Sequence, residues 1–501
     1  MSAKNGSGIY FSAKEMDQVA QMKRFNEWLQ ADSELRKRLG RGKGQTEEQR
    51  EWMSEIGIET TLRDISFFWK HPLTVVSYLE LIMKSRGDEI ENKIKDILDE
   101  FPLLALWGKY YKTRNFNRIS AQNAIFNSTH ENFDLWRKRR IASAKSELGF
   151  YGLEISPAPA FSFELNNGCS VGCWFCSFAV HRLSATFDYP KMKEEALNIV
   201  RHCRDIFGIE MLQLSLPYYR TEPHDNPHYI EFLKDFEKET GAVLCTATAV
   251  CTDIEWIKSL LRYYQHREDG KVHYWPRLSI LTTNALRKIH TAFTPLELRD
   301  TDLLIQVKDT VRPKVTGGRI LKEHAGLKEV ENLDTIEKSK LAALVPQGTI
   351  SCVSGFNINL ATRTIMLFSP CYTSAKWPHG FRVFGEAIYE DATDFPTVIK
   401  ELIDKCAFTQ PPKDKILKFR DDITFRRTEE GFDLATPNQL HHFKDNIYGY
   451  SSLGQLIAEG AYTYAQITES LVKEDKVIPA TLTMAVQHLF NNGYIDEIYE
   501  G

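Results

Sequence analysis

The 501-residue chain has no run approaching the about 18 consecutive apolar residues of a membrane-spanning helix. Its start, MSAKNGSGIYFSAKEMDQ, lacks the basic-then-apolar order of a secretory signal. The expectation is a cytoplasmic protein with no membrane partner. No strong charge of either sign is present: a net charge of -4 gives no reason for wholesale nucleic-acid binding. The two basic runs, RKRLGRGK (36–43) and RKRR (137–140), read as solvated helix faces. Repeats and low-complexity tracts are missing, which excludes solenoids and tethers. Cysteine is sparse, with nine residues at 169, 173, 176, 203, 245, 251, 352, 371 and 406. In a reducing compartment an odd, clustered set points to metal or catalysis and away from a disulfide framework.

What is present is a globular composition, 43% hydrophobic and 26% charged, long enough for about three domains. Residues 1–155 read as an N-terminal helical region, with apolar residues at three- and four-residue intervals in MKRFNEWLQADSELRKRL and HPLTVVSYLELIMKSRGDEIENKIKDILDEF. YGLEISPAPA (151–160), with two prolines, breaks that period and marks a boundary. From there the pattern alternates between short β-branched runs and helical stretches. The runs are FSFEL (161–165), MLQLSL (211–216), AVLCTAT (242–248), RLSILTT (277–283) and LLIQV (303–307). Alternation of this kind predicts an α/β fold, a partial (β/α) barrel over 156–385, with chemistry at the strand ends. Residues 349–369 read as a hairpin turning near Leu360 to Arg363. A connecting segment is expected at 386–414. Residues 415–501 give short strands followed by three helices, a winged-helix-like domain.

GCSVGCWFC (168–176) sets Cys169, Cys173 and Cys176 directly after the first predicted strand. A structural zinc site takes four protein ligands, and no second Cys-x-x-Cys or His-x-x-x-His pair stands elsewhere. A [4Fe-4S] cluster fits differently: a tight loop wraps three irons and leaves the fourth open for another ligand. Structural zinc and three buried thiols remain the alternatives on spacing alone.

In motif, motif position and barrel pattern the chain resembles the radical S-adenosylmethionine superfamily. An aromatic residue, Phe175, precedes the third cysteine as in that superfamily. The resemblance implies that Cys169, Cys173 and Cys176 hold one [4Fe-4S] cluster. The open iron would chelate S-adenosyl-L-methionine, whose reductive cleavage gives a 5'-deoxyadenosyl radical. The superfamily's Gly-Gly-Glu-Pro segment is matched only by Thr221, Glu222 and Pro223, without the glycines, which leaves Glu222 as the candidate for the cofactor's amino group. Ser279 or Thr282, by position alone, would reach the ribose. Longer stretches resemble one subfamily, the radical enzymes that epimerise residues of ribosomally made proteusin-type peptides. They are ELNNGCSVGCWFCSFA, LPYYRTEPHDNPHY, RLSILTTNALRKIHTAFTPLEL and ISCVSGFNINLATRTIMLFSPCYTSAKWPHGFRVF, most of residues 160–385.

That resemblance implies an L-to-D peptide epimerase in which Cys371 donates a hydrogen atom. Chemistry reaches a similar demand. Removing a backbone α-hydrogen leaves a planar radical, and inversion needs a new hydrogen from the opposite face, for which a thiol is the best protein donor. Cys203, Cys245, Cys251, Cys352 and Cys406 compete on sequence alone, and only the family match singles out Cys371. Cys371 follows a predicted strand and is expected to face the barrel mouth. A donor thiol should be protonated, so it suits a site without a neighbouring base. Residues 415–498 resemble the peptide-recognition elements of such pathways, which would add a precursor's leader segment as a strand beside KILKF or ITFRR. The expected partners are therefore a ribosomal precursor peptide, leader and core, and an electron donor such as flavodoxin or ferredoxin. The rivals are a radical enzyme that installs a crosslink, disfavoured by the lack of a second cysteine cluster, and a non-enzymatic zinc-stabilised peptide-binding protein.

Overall fold

A computed structural model of the chain describes residues 11–41, 47–59, 95, 99–110, 127–148, 159–213, 215–265, 276–308, 310, 317–320, 349–436, 439–444 and 449–499. Most of YGLEISPAPA, Leu214, the greater part of the second helical stretch of the N-terminal region and the end of RKRLGRGK lie outside the described residues.

Helices described in the N-terminal region include α1 (Ala13–Ala31), α2 (Ser33–Arg41), α3 (Glu47–Glu55) and α4 (Glu131–Leu148). A capping box starts α1: the Glu15 N–H donates to the Ser12 hydroxyl (3.2 Å) and the Ser12 N–H donates to the Glu15 carboxylate (2.7 Å). Its buried stripe, Val19, Met22, Phe25, Trp28 and Leu29, packs in one core with Leu278, Ile280, Leu303 and Ile305. The N-terminal helices thus share a core with strands far along the chain. The RKRR run is not a solvated face. Arg137, Arg139 and Arg140 on α4 are buried, and Arg139 and Arg140 pair with Glu497 near the C-terminus, because α4 is wedged between the central strands and the C-terminal domain.

The central region begins with β1 (Phe161–Glu164), β2 (Asn166–Asn167) and β3 (Ala185–Thr186). The helices α5 (Tyr189–Phe207), α6 (Ile209–Leu212) and α7 (Tyr229–Thr240) follow, then β4 (Ala247–Thr248), α8 (Ile254–Gln265), β5 (Arg277–Ile280), α9 (Thr283–Ala292) and β6 (Asp302–Ile305). Next come β7 (Gly355–Asn359), β8 (Thr364–Pro370), β9 (Phe381–Ile388) and α10 (Phe395–Cys406). β4, β5 and β6 form a parallel sheet. β1 pairs in parallel with β7, and β7, β8 and β9 continue antiparallel. On its other side β1 meets Leu216 through a parallel bridge. Among the described residues the result is mixed α/β with small sheets, none closed into a barrel. MLQLSL supplies a helical turn and that single bridge instead of a strand, and AVLCTAT contributes only two strand residues. The 386–414 span is not merely a connection: α10 buries Phe395, Ile399 and Ile403 in the same core as Phe161, Phe163, Phe356 and Ile358.

The C-terminal domain holds the antiparallel β10 (Thr424–Thr428), β11 (Gly431–Ala435) and β12 (Leu440–Lys444), followed by α11 (Tyr450–Glu459), α12 (Tyr464–Lys473) and α13 (Pro479–Asn491). Phe432, Leu434, Leu453, Ile467, Leu482 and Val486 form its core. KILKF is not a strand. It is held by isolated bridges from Ile416 to Thr463 and from Phe419 to Ile495, so the sheet edges are β10 and β12. Among the described residues no helix is long and apolar enough to cross a membrane.

Candidate cofactor and radical site

The cysteine loop leaves the carboxyl end of β1 and returns through β3, which pairs with β2 like a clasp. The Cys169 N–H donates to the His181 carbonyl (3.1 Å), the Leu183 N–H to the Cys169 carbonyl (3.3 Å) and the Ser184 N–H to the Asn167 carbonyl (2.8 Å). Two left-handed residues make the turns, Gly168 (φ +91°) and Gly172 (φ +64°). Side chains from distant segments then pin the loop. Ser170 donates through its N–H (2.9 Å) and hydroxyl (2.5 Å) to Asp225, and Trp174 Nε1 donates to the Gln306 carbonyl (3.0 Å). Arg319 donates to the carbonyls of Cys173 (3.0 Å) and Val180 (2.5 Å), while its own N–H reaches the Cys176 carbonyl (3.0 Å).

All three loop thiols are half-buried. Burial raises the pKa of Cys169, opposed by the N–H groups of Gly172 and Val171. Cys173 is pushed up to about 12, by burial first and then by the negative charge of Cys169 and Cys176. A thiol raised by burial and by neighbouring negative charge, as Cys173 is, is stable as a thiolate only against a compensating cation. Among the described residues no three His, Cys, Asp or Glu side chains converge on one point, as a single metal ion would require. A [4Fe-4S] cluster does not require convergence, since each thiolate meets its own iron. Three soft donors on a pinned loop fit that group.

Glu222 is buried, not a surface turn. Its carboxylate accepts from Thr248 Oγ1, from the Ala249 N–H (2.9 Å) and from the His224 N–H (3.1 Å). Burial holds its pKa above the usual carboxylate range, against those three hydrogen bonds. A carboxylate offers about four acceptor positions, so capacity for one further donor remains. β5 and β6 bury Leu278, Ile280, Leu303 and Ile305 on one face and leave Arg277, Ser279, Asp302 and Leu304 half-exposed on the other. Ser279 therefore shares the less buried face with Arg277, and its backbone carbonyl accepts from the thiol of Cys251, which packs in the core with Leu278 and Ile280 (3.3 Å). Thr282 caps α9, its hydroxyl accepting from the Ala285 N–H (3.1 Å). Phe175 is half-buried and packs edge-on to Trp174, with ring centroids 5.8 Å apart.

Cys371 lies elsewhere than at the mouth. β7 runs parallel to β1 and β8 antiparallel to β7, so β8 ends beside the amino ends of β1 and β7, whereas the cysteine loop leaves the carboxyl end of β1; the segment after Cys371 returns toward the loop's exit, where Thr373 and Ser177 both flank Gly317 and the Gly318 N–H donates to the Pro378 carbonyl (3.0 Å). Its thiol is 0% exposed and burial pushes it well above the ordinary range, with Arg382 lowering it and Glu147 raising it. Between the two ends stand Leu216, Tyr219, Met366, Phe368 and Phe381, with Phe178 from just after the cysteine loop packed against Tyr219 at 4.7 Å. Cys352 is half-buried beside that group.

Sequence reasoning missed Glu164, Asp225 and Arg319. Glu164 accepts from the Arg220 N–H (2.6 Å), Asn357 Nδ2 (2.9 Å) and Asn359 Nδ2 (3.1 Å) on the inner face. Ser162 Oγ, Ser215 Oγ, Asn166 Oδ1 and Asn357 Oδ1 are buried there without a hydrogen-bond partner. A lone acid in FSFEL immediately before the cysteines was the one available signal. Nothing local marks Arg319.

No protein-family model matches the chain. A protein of Sinorhizobium fredii (strain NBRC 101917 / NGR234), named "Uncharacterized protein y4wI", is 29% identical over 424 residues, 84% of this chain and 80% of that protein. No solved structure matches.

Proposed function

We propose that the protein is a radical S-adenosylmethionine peptide epimerase, with a partial-barrel-type core, that converts L-residues to D-residues in a ribosomally made precursor. One observation carries the reading: a pinned loop of three thiols leaves the end of β1, and a separate buried thiol, kept protonated, ends β8 of the same sheet. Cys169, Cys173 and Cys176 would hold one [4Fe-4S] cluster. Glu222 would take the cofactor's amino group, with Ser279, Thr282 and Phe175 around the rest of S-adenosyl-L-methionine. When bound, these groups supply the radical that removes the α-hydrogen. Cys371, kept protonated by burial, returns hydrogen from its S–H to the other face. Its sulfur is left one electron and one proton short, which an external donor of the flavodoxin or ferredoxin class and solvent restore.

The C-terminal domain would capture the leader as an added strand. With KILKF removed from the candidates, the β10 edge remains, where Arg426 is exposed and paired with Asp433. The location consistent with this chemistry is the cytoplasm. The test is an anaerobic reaction in deuterium oxide with the precursor peptide, read by mass spectrometry and chiral amino-acid analysis. One mass unit gained per D-residue supports epimerisation; a loss of two mass units in ordinary water, with no D-residue, sinks it.

A further inference from the structure

The segment carrying Cys371 is not held by β8 alone. The Cys371 N–H donates to the Gly380 carbonyl (3.0 Å), and the next N–H, that of Tyr372, donates to the carboxylate of Glu147 on α4 (2.8 Å). The same carboxylate takes both Nη groups of Arg382 (2.5 and 3.1 Å), and Arg382 stands across from Ser369 in the β8–β9 ladder. Arg382 also donates to Asp422 (3.0 Å), Asp422 accepts two hydrogen bonds from Arg420 (2.8 and 2.7 Å), and Arg420 donates to the Gly493 carbonyl. Glu147, Arg382 and Arg420 are all buried. The chain of alternating charges runs from the backbone beside the thiol, across α4, into the C-terminal domain.

We infer that Glu147 is a positioning residue for hydrogen return: it fixes the backbone beside Cys371, and through Arg382, Asp422 and Arg420 it ties the thiol's position to the seating of the C-terminal domain. The inference rests on the epimerase reading for its catalytic meaning. Its geometry does not. A buried charge pair resists being half-dismantled, because the partner left behind is an uncompensated charge in a low-dielectric interior. A shift of the C-terminal domain that loosens Asp422 therefore reaches the thiol-bearing segment instead of dissipating. If the domain captures a peptide leader, capture and thiol placement are linked.

The test compares wild type, Glu147→Gln, Glu147→Ala and Asp422→Asn as reconstituted full-length protein. Alkylation of Cys371 and of Cys203 by iodoacetamide is followed by peptide mass spectrometry. Cys203 is buried in the separate core around Phe161 and Phe207, so it reports global opening. Cys371 should label at least about tenfold faster in Glu147→Ala, and faster in Asp422→Asn, with Cys203 unchanged, since loss of a buried pair member costs more than a factor of ten in local stability. In turnover, D-residues formed per 5'-deoxyadenosine released should fall by a similar factor in Glu147→Ala, while cofactor cleavage persists. Glu147→Gln, which keeps a carbonyl acceptor for Tyr372, should fall between. Labelling of Cys371 that stays at the wild-type rate, or rises only in step with Cys203, overturns the inference, as does an unchanged D-residue yield in a variant whose Cys371 has opened. A wild type that labels as expected yet makes no D-residues overturns the function reading alone.

Discussion

Replacing Gly168 or Gly172 by alanine separates conformational strain from steric strain in the cysteine loop. Both residues are left-handed, so each alanine meets the roughly 1–2 kcal/mol penalty of placing a Cβ in that region. At Gly172 nothing lies within 4 Å of the new atom. At Gly168 the Cβ would stand 2.4 Å from the Arg182 carbonyl oxygen and 3.0 Å from that of His181, both backbone atoms. The 181–183 segment must then retreat, breaking the hydrogen bonds from Cys169 to His181 and from Leu183 to Cys169. At about 1 kcal/mol each, they bring the total for Gly168→Ala to roughly 3–4 kcal/mol. The difference of about 2 kcal/mol corresponds to about thirtyfold in local opening. Amide exchange of peptides spanning 166–186 in iron-free protein measures it, and iron bound per chain after anaerobic reconstitution gives a second readout. Gly172→Ala should retain iron and Gly168→Ala should lose most of it. Equal exchange and equal iron in the two variants would refute the clasp as what holds the loop.

Cys371→Ala should still cleave S-adenosylmethionine but form no D-residues, whereas Cys352→Ala should epimerise normally; chiral analysis showing the reverse would move the donor to Cys352. Arg319→Ala removes two charged donors from the loop carbonyls, each worth about 1.5–3 kcal/mol, and should lower iron retention while Arg319→Lys, able to reach one carbonyl, recovers part of it. Although burial pushes Asp422 up, its hydrogen bonds and charge contacts with Arg420 and Arg382 win, and its pKa lies below the usual carboxylate value. A depressed folded-state pKa contributes stability that is present above the unfolded value of about 3.9 and fades as pH falls through the folded one. The gap in melting temperature between wild type and Asp422→Asn should therefore be largest near neutral pH and shrink below about pH 4; a gap that widens on acidification contradicts the ion chain.

Local order carried much of what could be read from the chain alone. Cys169, Cys173 and Cys176 follow β1 because FSFEL alternates correctly, and spacing within nine residues needs no tertiary information. The hairpin of β7 and β8, with its turn at 360–363, and the three helices after the C-terminal strands were legible for the same reason. Edge and direction were not. KILKF has the composition of a strand but finds only isolated bridges, since a strand exists only where a partner supplies the ladder.

Tertiary structure alone decided where the distant groups stand. Cys371 was expected at the mouth because it ends a strand; the antiparallel return of β8 carries it to the other end, and strand direction depends on pairing, not on composition. RKRR reads as solvated by its charge, yet Glu497, more than 350 residues later, makes burial of Arg139 and Arg140 affordable. Glu222, Asp225 and Arg319 acquire their places from contacts across 26 to 146 residues of chain. The sequence by itself determined the donor atoms of the cysteine loop, because ligand identity and spacing are covalent facts. Only the packing of α4, β8 and the C-terminal domain decided that a further thiol, Cys371, would be sealed at the end of β8 and tied to a chain of buried charges.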